Sequence, residues 1–399
     1  MDTTPVHPRL WHRDFWLLAM ADMFLTMSMY MFLPLLAQWI CVGKGQNVSS
    51  MMGVMGSYAV GLFIFGPFCN YFVQRHRRNK VYMVAAMGVV VSLLLIGFDV
   101  YGLFGKQLPM EAVVAARFMQ GASFALAQMV LLSTLAVDVA ESAQRTDANH
   151  ALSWFSRLAM VLGPLAAYEL LRYLPVGIVF FVMAAMAFMA LLMVALAKIP
   201  FKAPDDEFSI VDTDRFFLGK GKWLFFNNLL FAAVVGMLLY TYADAYCYGM
   251  MLVGFYIAIR ILPILLAAPQ NSWQTVIVIL TALVAVAAMS FIEVMPLFLL
   301  SFLCWGVLIG LVSSQMSVMY IHVSRHCQRG TSQSTNFLSW EFGVALGVML
   351  AMFLDSYGEC FMIHAYVWVT TAILTALFFL IYIFFTLPWC LRHHQREKV

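Results

Sequence analysis

Residues 113–125 read VVAARFMQGASFA, an arginine and a glutamine three apart in a run that is otherwise small and largely apolar. A charged side chain near the middle of a membrane helix costs about 2.5–3.5 kcal/mol on insertion scales, so Arg117 needs a partner or water if this run crosses a bilayer. Composition indicates that it does. The chain has 399 residues, of which 63% are hydrophobic and 11% charged, and its mean hydropathy is +0.86. Soluble domains are roughly half apolar and a quarter charged. Stretches long enough to span a bilayer, about 20 mostly apolar residues each, can be marked at 15–38, 50–72, 80–100, 110–136, 149–172, 174–197, 223–243, 246–268, 273–292, 295–320, 333–355 and 362–388. The expected fold is all-α and integral to the membrane, with twelve transmembrane helices. The seventh and eighth spans are parted only by ADAYCYG (243–249). The first is too long for a signal-peptide core and lacks a small-residue cleavage site, so it is expected to stay as an anchor.

Lysine and arginine placement sets the orientation. With both termini cytoplasmic, 17 of the 23 fall in inner segments. The outer loops keep Lys44, Lys106 and Arg172, and Arg117, Arg157 and Arg260 fall inside spans. Cytoplasmic enrichment of this kind is the usual bias of multi-pass proteins. The net charge of +3 follows from this topology and gives no reason to expect nucleic-acid binding. The seven cysteines have no CxxC or histidine-rich spacing, so free thiols are expected, with no metal site and no disulfide framework. No GxxxxGK[ST], HExxH or GxSxG motif is present, which argues against a primary pump or an enzyme, and no cofactor is expected.

The longest polar segment, KIPFKAPDDEFSIVDTDRFFLGKGK (198–222), divides the chain into six-span halves at 1–197 and 223–399, joined by a cytoplasmic linker. A shift of 184 residues lays QRTDANHALSWFSRLAMVLG (144–163) on QRGTSQSTNFLSWEFGVALG (328–347), both at the start of the fifth span of their half. Parallel six-span repeats would give this echo. It sets Arg157 opposite Glu341.

Several polar groups sit at membrane depth. In the first span Asp22, Thr26 and Tyr30 recur every four residues and share one helical face. That face either lines a water-accessible cavity or carries an acid that snorkels to the inner surface. In the fourth, Arg117, Gln120, Gly121, Phe124 and Gln128 repeat the pattern, with Gly121 and Ala122 allowing close approach of a neighbour. Arg117 is either a cavity donor or a structural arginine. Glu341, after Trp340 and ahead of the packing glycines Gly343 and Gly347, is read as one member of a structural or gating ion pair with Arg157 or Arg260 in preference to a direct substrate contact. Asn227 and Asn228 in span seven, and Ser313, Ser314 and Gln315 in span ten, would line the cavity if those helices do. The 29 methionines make either an adaptable apolar surface or lipid-facing filler.

Twelve spans in two halves, a charged central loop and RxxQG at Arg117, Gln120 and Gly121 together resemble the major facilitator superfamily over nearly the whole chain. In that family the span-four arginine is associated with proton coupling. The span-five motif of exporters is similar to AMVLGPLAAY (159–168), which keeps Gly163 and Pro164. The loop motif GxxxDRxGRR resembles GPFCNYFVQRHRRNK (66–80), with Gly66 and the cluster Arg75, Arg77 and Arg78 kept, and Asn70 in place of the aspartate. The resemblance implies that Asp138 and Glu141 pair with that cluster. The segment before Gly343 is also similar to the span-eleven start of bacterial efflux permeases. The implied function is secondary active transport by two rocking six-helix bundles, helices 1, 4, 7 and 10 lining the cavity and the protein acting as a monomer. Proton-coupled export of an apolar or amphipathic small molecule is the favoured form, with Asp22 carrying the proton beside Arg117. The alternatives are a proton-linked importer of a sugar or organic anion held by Arg117, and a receptor or scaffold that keeps the fold without transport.

Overall fold

The computed structural model describes residues 10–103, 105–141, 144–200, 210–213, 216–266, 272–325, 328–356 and 360–396. Arg9, Lys202, Arg215, Lys398 and Cys327 lie outside these residues, as do the side chains of Cys360 and Arg396. The described residues form no strand and contain twelve helices of 17 to 29 residues. They are α1 (Arg13–Tyr30), α2 (Val48–Ile64), α3 (Arg78–Tyr101), α4 (Met110–Val130), α5 (Arg145–Leu171), α6 (Val176–Leu196), α7 (Lys222–Thr241), α8 (Ala245–Leu266), α9 (Ser272–Met289), α10 (Met295–Val323), α11 (Arg329–Asp355) and α12 (Cys360–Ile381). Among the described residues nine helices are long and apolar enough to cross a membrane, and Ala245–Arg260 and Gln274–Met289 are shorter apolar stretches.

Local chemistry sets the helix ends. Asn47 Oδ1 accepts the Ser50 amide at 2.9 Å and opens α2, while Pro109 and Pro175 precede α4 and α6 in extended backbone. Gly102 ends α3 at φ +82°, a left-handed cap that L side chains resist. Beyond α1, Pro34 sits in a 3₁₀ turn (Leu33–Leu35), and α4 passes into a π-helical turn (Leu131–Leu135) and a short helix (Ala136–Val139). Two helices start four residues before the marked spans, at Arg145 and Arg329 rather than 149 and 333. Their first turns are polar and stay helical past the apolar stretch, which a hydropathy window does not register.

Those two helices carry the internal echo. Both α5 and α11 have 27 residues, with ends offset by 184, and Gln144 and Gln328 precede them with φ −98° each. Arg157 and Glu341 therefore hold the same place in their helices.

Helices pack most extensively as α7 with α11, α8 with α10, α3 with α6 and α2 with α4, and the halves meet where α2 faces α11 and where α5 faces α8 and α10. Small residues permit the closest approaches. A Cβ on Gly121 would stand 2.3 Å from the Tyr58 carbonyl oxygen, and one on Gly347 would stand 1.9 Å from that of Ala233. Gly343 faces the Leu229 carbonyl, Gly163 (next to Pro164 inside α5) faces that of Met27, and Gly66 faces the Phe216 ring. Cys41, Cys69, Cys247, Cys304 and Cys390 form no disulfide.

One buried ion pair was not foreseen. Asp99, at the end of α3, meets Lys44 Nζ at 2.6 Å and accepts the Leu108 amide at 2.5 Å, tying the loop after α3 to the lead into α2. Removing one member of a buried pair strands the other, at a cost of about 3–5 kcal/mol. Asp99→Ala is accordingly expected to lower the thermal midpoint of the purified protein markedly, and Asp99→Leu with Lys44→Met to recover most of the loss. An unchanged midpoint in Asp99→Ala would show that the pair is dispensable.

Candidate functional site

The α1 stripe forms three rungs, each to a different helix. Asp22, Thr26 and Tyr30 are all buried. Ser156 Oγ of α5 donates to Asp22 Oδ2 at 2.6 Å, and Gln128 Nε2 of α4 donates to Thr26 Oγ1 at 2.8 Å. The Tyr30 hydroxyl donates to Glu341 Oε1 of α11 at 2.9 Å, and the Tyr58 hydroxyl of α2 donates to Glu341 Oε2 at 3.3 Å. Glu341 thus joins the halves: both its donors come from the first half and the carboxylate from the second.

Arg117 is only 2% exposed, and aromatic rings supply most of its surroundings. Its guanidinium lies 3.7 Å from the centroid of the Phe32 ring and 4.6 Å from that of Tyr58; Nη1 donates to Gln120 Oε1, and Nη2 is 3.9 Å from the Met55 sulfur. A desolvated cation–π contact contributes about 2 kcal/mol. Two such contacts offset an insertion cost of about 2.5–3.5 kcal/mol without any acid. Arg157 is held similarly, with its guanidinium 3.8 Å from the Trp340 ring. Among the described residues neither arginine lies within 4.0 Å of a carboxylate oxygen; the ion pairs there are Lys44–Asp99, Arg78–Asp138 and Arg172–Glu169.

Met29, Tyr30, Leu33, Met55, Tyr58, Arg117, Glu341 and Val344 surround a cavity of about 20 Å³ between the halves. That is room for about one water molecule, so a larger ligand requires the halves to part.

The other expected site residues are dispersed. Gln120 is buried in α4, its Nε2 3.6 Å from the Met29 sulfur. Phe124 packs between the rings of Tyr58 and Phe337, closing the apolar contact between halves. Asn227 donates to the Phe378 carbonyl and Asn228 to Asn336 and Ser339, so these amides fasten α7 to α12 and α11 instead of facing the cavity. Gln315 is buried in α10 outside the cavity lining, and the neighbouring Ser314 hydroxyl meets His150 Nε2 at 3.3 Å across the halves. Arg260 is exposed and donates to the Tyr256 hydroxyl, so it is not the partner of Glu341. Nor is Arg157 within ion-pair distance of Glu341, because its guanidinium stacks on the adjacent Trp340.

In the basic loop Arg78 pairs with Asp138, and Arg75 lies over the Tyr71 ring; Arg77 precedes the first turn of α3. Glu141 forms no ion pair among the described residues. Asn70 donates to Asp212 of the central linker at 3.0 Å, an amide-to-acid contact that an aspartate could not make without repulsion. No group of three or more His, Cys, Asp or Glu among the described residues could hold a metal ion.

Phe32, Tyr58 and Ser156 escape sequence reading. The available signals were Tyr58 standing among the small residues of GSYAVG and Ser156 adjoining Arg157. Removing the phenols tests their part in the junction. Tyr30→Phe with Tyr58→Phe leaves the Glu341 carboxylate without its two donors, and hydrogen bonds to charged groups contribute about 1.5–3 kcal/mol each. The double variant is expected to be several degrees less stable to heat, with Glu341→Gln in the same background restoring part of the difference. Equal midpoints for the double variant and the parent would discount the contact.

A sequence profile of the Major Facilitator Superfamily matches residues 18–347. Solved structures share the fold at low identity. A point mutant of the nucleoside transporter NupG superposes with a TM-score of 0.65 at 11% identity, over 92% of this chain and 99% of that one. The human organic anion transporter MFSD10 (TETRAN) gives 0.63 at 15%, over 94% and 100%. No curated protein matches in sequence.

Proposed function

The chain belongs to the major facilitator superfamily, and from that premise we propose that it exports an amphipathic small molecule in exchange for protons, residues 1–197 and 223–399 rocking about the cavity between them. It is a multi-pass membrane transporter and not an enzyme. In this reading it works as a monomer in a bacterial inner membrane with both termini cytoplasmic.

The observation that carries the proposal is the pair of buried carboxylates at the end rungs of the α1 stripe, Asp22 tied to α5 and Glu341 tying the two halves. A hydroxyl holds an ionised carboxylate more strongly than a neutral one. Protonating Asp22 therefore loosens α1 from α5, and a proton or ligand at Glu341 loosens α1 and α2 from α11. Either change biases access only by its differential affinity for the two states. The apolar lining by Met29, Leu33, Met55 and Val344 suits the hydrocarbon part of an amphipathic ligand.

One observation favours a second reading. Arg117 lines the cavity with no acid within ion-pair distance, as a proton-linked importer of an organic anion would require. Inside-out vesicles separate the two. Uptake as protons leave the lumen supports export by exchange, whereas uptake only together with protons entering the lumen is the importer running in reverse.

The test of coupling is proton release from detergent-solubilised protein on adding lipophilic cations, neutral drugs, sugars or organic acids. Release provoked by one class and abolished in Asp22→Asn is the expected result. Full proton-driven flux with unchanged pH dependence in Asp22→Asn would remove Asp22 from the coupling step.

A further inference from the structure

We propose that the ligand of this cavity is an amphipathic zwitterion, its anionic group meeting Arg117 and its ammonium group meeting Glu341. The assignment rests on the transport reading above and adds the chemical class of the substrate.

Four charged side chains are buried around the junction: Asp22, Arg117, Arg157 and Glu341. Their formal charges cancel, but they are not evenly distributed. Arg157 stacks on Trp340, the residue before Glu341, and itself follows Ser156, the donor to Asp22, so one cation is grouped with two acids and these three sum to one negative charge. Arg117 stands apart from them, its contacts being Phe32, Tyr58, Gln120 and the Met55 sulfur. Tyr58 separates the poles: its ring centroid is 4.6 Å from the Arg117 guanidinium carbon, and its hydroxyl donates to Glu341 at 3.3 Å. One cavity thus carries a cation and an anion with an aromatic ring between them.

A buried charge without a counter-charge is costly, and the cost falls when one arrives. A singly charged ligand can answer only one pole. A cation at Glu341 enters the field of Arg117 and leaves that guanidinium on its ring and amide contacts alone; an anion at Arg117 enters the field of Glu341 and leaves that carboxylate on its phenols. A zwitterion answers both, and its hydrocarbon part has Met29, Leu33, Met55 and Val344 to lie against, two of them adaptable methionines. The groups it displaces at Glu341 are neutral phenols, so an ammonium exchanges ordinary donors for a charged one. The same exchange breaks both hydroxyl contacts between the halves, which links occupancy to opening.

The test uses four probes of one skeleton: the dipeptide leucylphenylalanine, its methyl ester, its N-acetyl form, and the form blocked at both ends. Binding to the full-length protein in lipid nanodiscs is measured by calorimetry. The zwitterion is expected to bind at least about tenfold more tightly than each of the others, the scale of one charged hydrogen bond. In Glu341→Gln the free-amine and N-acetyl forms should bind alike, and in Arg117→Gln the acid and ester should. A singly charged or doubly blocked form that binds as tightly as the zwitterion overturns the assignment, as does loss of all four affinities in parallel in both variants, or binding of none of the four to the parent. If neither variant folds, the comparison on the parent decides alone. Transport itself fails by a different sign: no proton release and no flux with any compound class. Proton release with some other class alongside no zwitterion preference leaves the transport reading standing and sinks only this one.

Discussion

Gly347→Leu is expected to give no folded protein in the membrane fraction. A Cβ at this position would lie 1.9 Å from the Ala233 carbonyl oxygen and within 2.8 Å of two further Ala233 backbone atoms. Backbone cannot swing aside as a side-chain tip can, so α7 and α11 would have to separate along their length. The contact is reciprocal, since a Cβ on Gly236 of α7 would meet the Val344 carbonyl at 2.3 Å, and one on Gly343 would meet that of Leu229 at 2.5 Å. Three glycines therefore form a seam in which each helix presses small positions onto the other's carbonyls, the arrangement by which membrane helices gain dispersion contact without hydrophobic drive. Losses above about 4–5 kcal/mol are exceptional and take a large share of a stability margin of about 5–15 kcal/mol. Gly53→Leu is the control, because nothing lies within 4 Å of the space its Cβ would occupy. Gel filtration of both variants after detergent extraction is the measurement. A monodisperse Gly347→Leu peak at parental yield would show that the seam can open at little cost.

The seam also illustrates what a sequence does and does not disclose. Gly343 and Gly347 are legible as packing residues because their four-residue spacing puts them on one face, but nothing local names α7 as the partner. The same division runs through the site. Period four gathers Asp22, Thr26 and Tyr30, yet their partners Ser156, Gln128 and Glu341 lie 134, 102 and 311 residues away. Which helices meet is decided by packing across the bundle. The spans were legible because hydrophobicity is summed over every residue of a window, so single errors average out. Direction is different, as Asn227 and Asn228 show: polarity predicts burial against protein, and they are buried, but not toward the cavity. Arg117 departs from expectation for a further reason. Its charge calls for a partner or water, and rings from Phe32 and Tyr58 stabilise the guanidinium, aromatic residues being too common in such a chain to single out.

The second large effect is expected at Arg157. Arg157→Met removes the cation that lies beside both acids, following Ser156, which donates to Asp22, and stacking on Trp340, which precedes Glu341. Breaking a buried charge cluster by deleting one member costs about 3–5 kcal/mol, most of it from the charge left behind. Glu341→Gln alone should cost less, because an amide oxygen can still accept from Tyr30. Combined with Arg157→Met, it removes the stranded anion, so the double variant should be more stable than the sum of the single losses predicts, by about 1–3 kcal/mol. Thermal unfolding of the four proteins in one detergent measures the difference. Strict additivity would mean that Arg157 acts through its stack on Trp340 alone, and Trp340→Leu would then reproduce the Arg157→Met loss. The repeat gives the coupling its significance. Arg157 and Glu341 occupy equivalent places in α5 and α11, yet one half supplies the cation and the other the anion. Equal charges at two such positions would repel as the halves close. Opposite charges let the junction shut without a permanent ion pair, and leave Glu341 to Tyr30, Tyr58 and whatever displaces them.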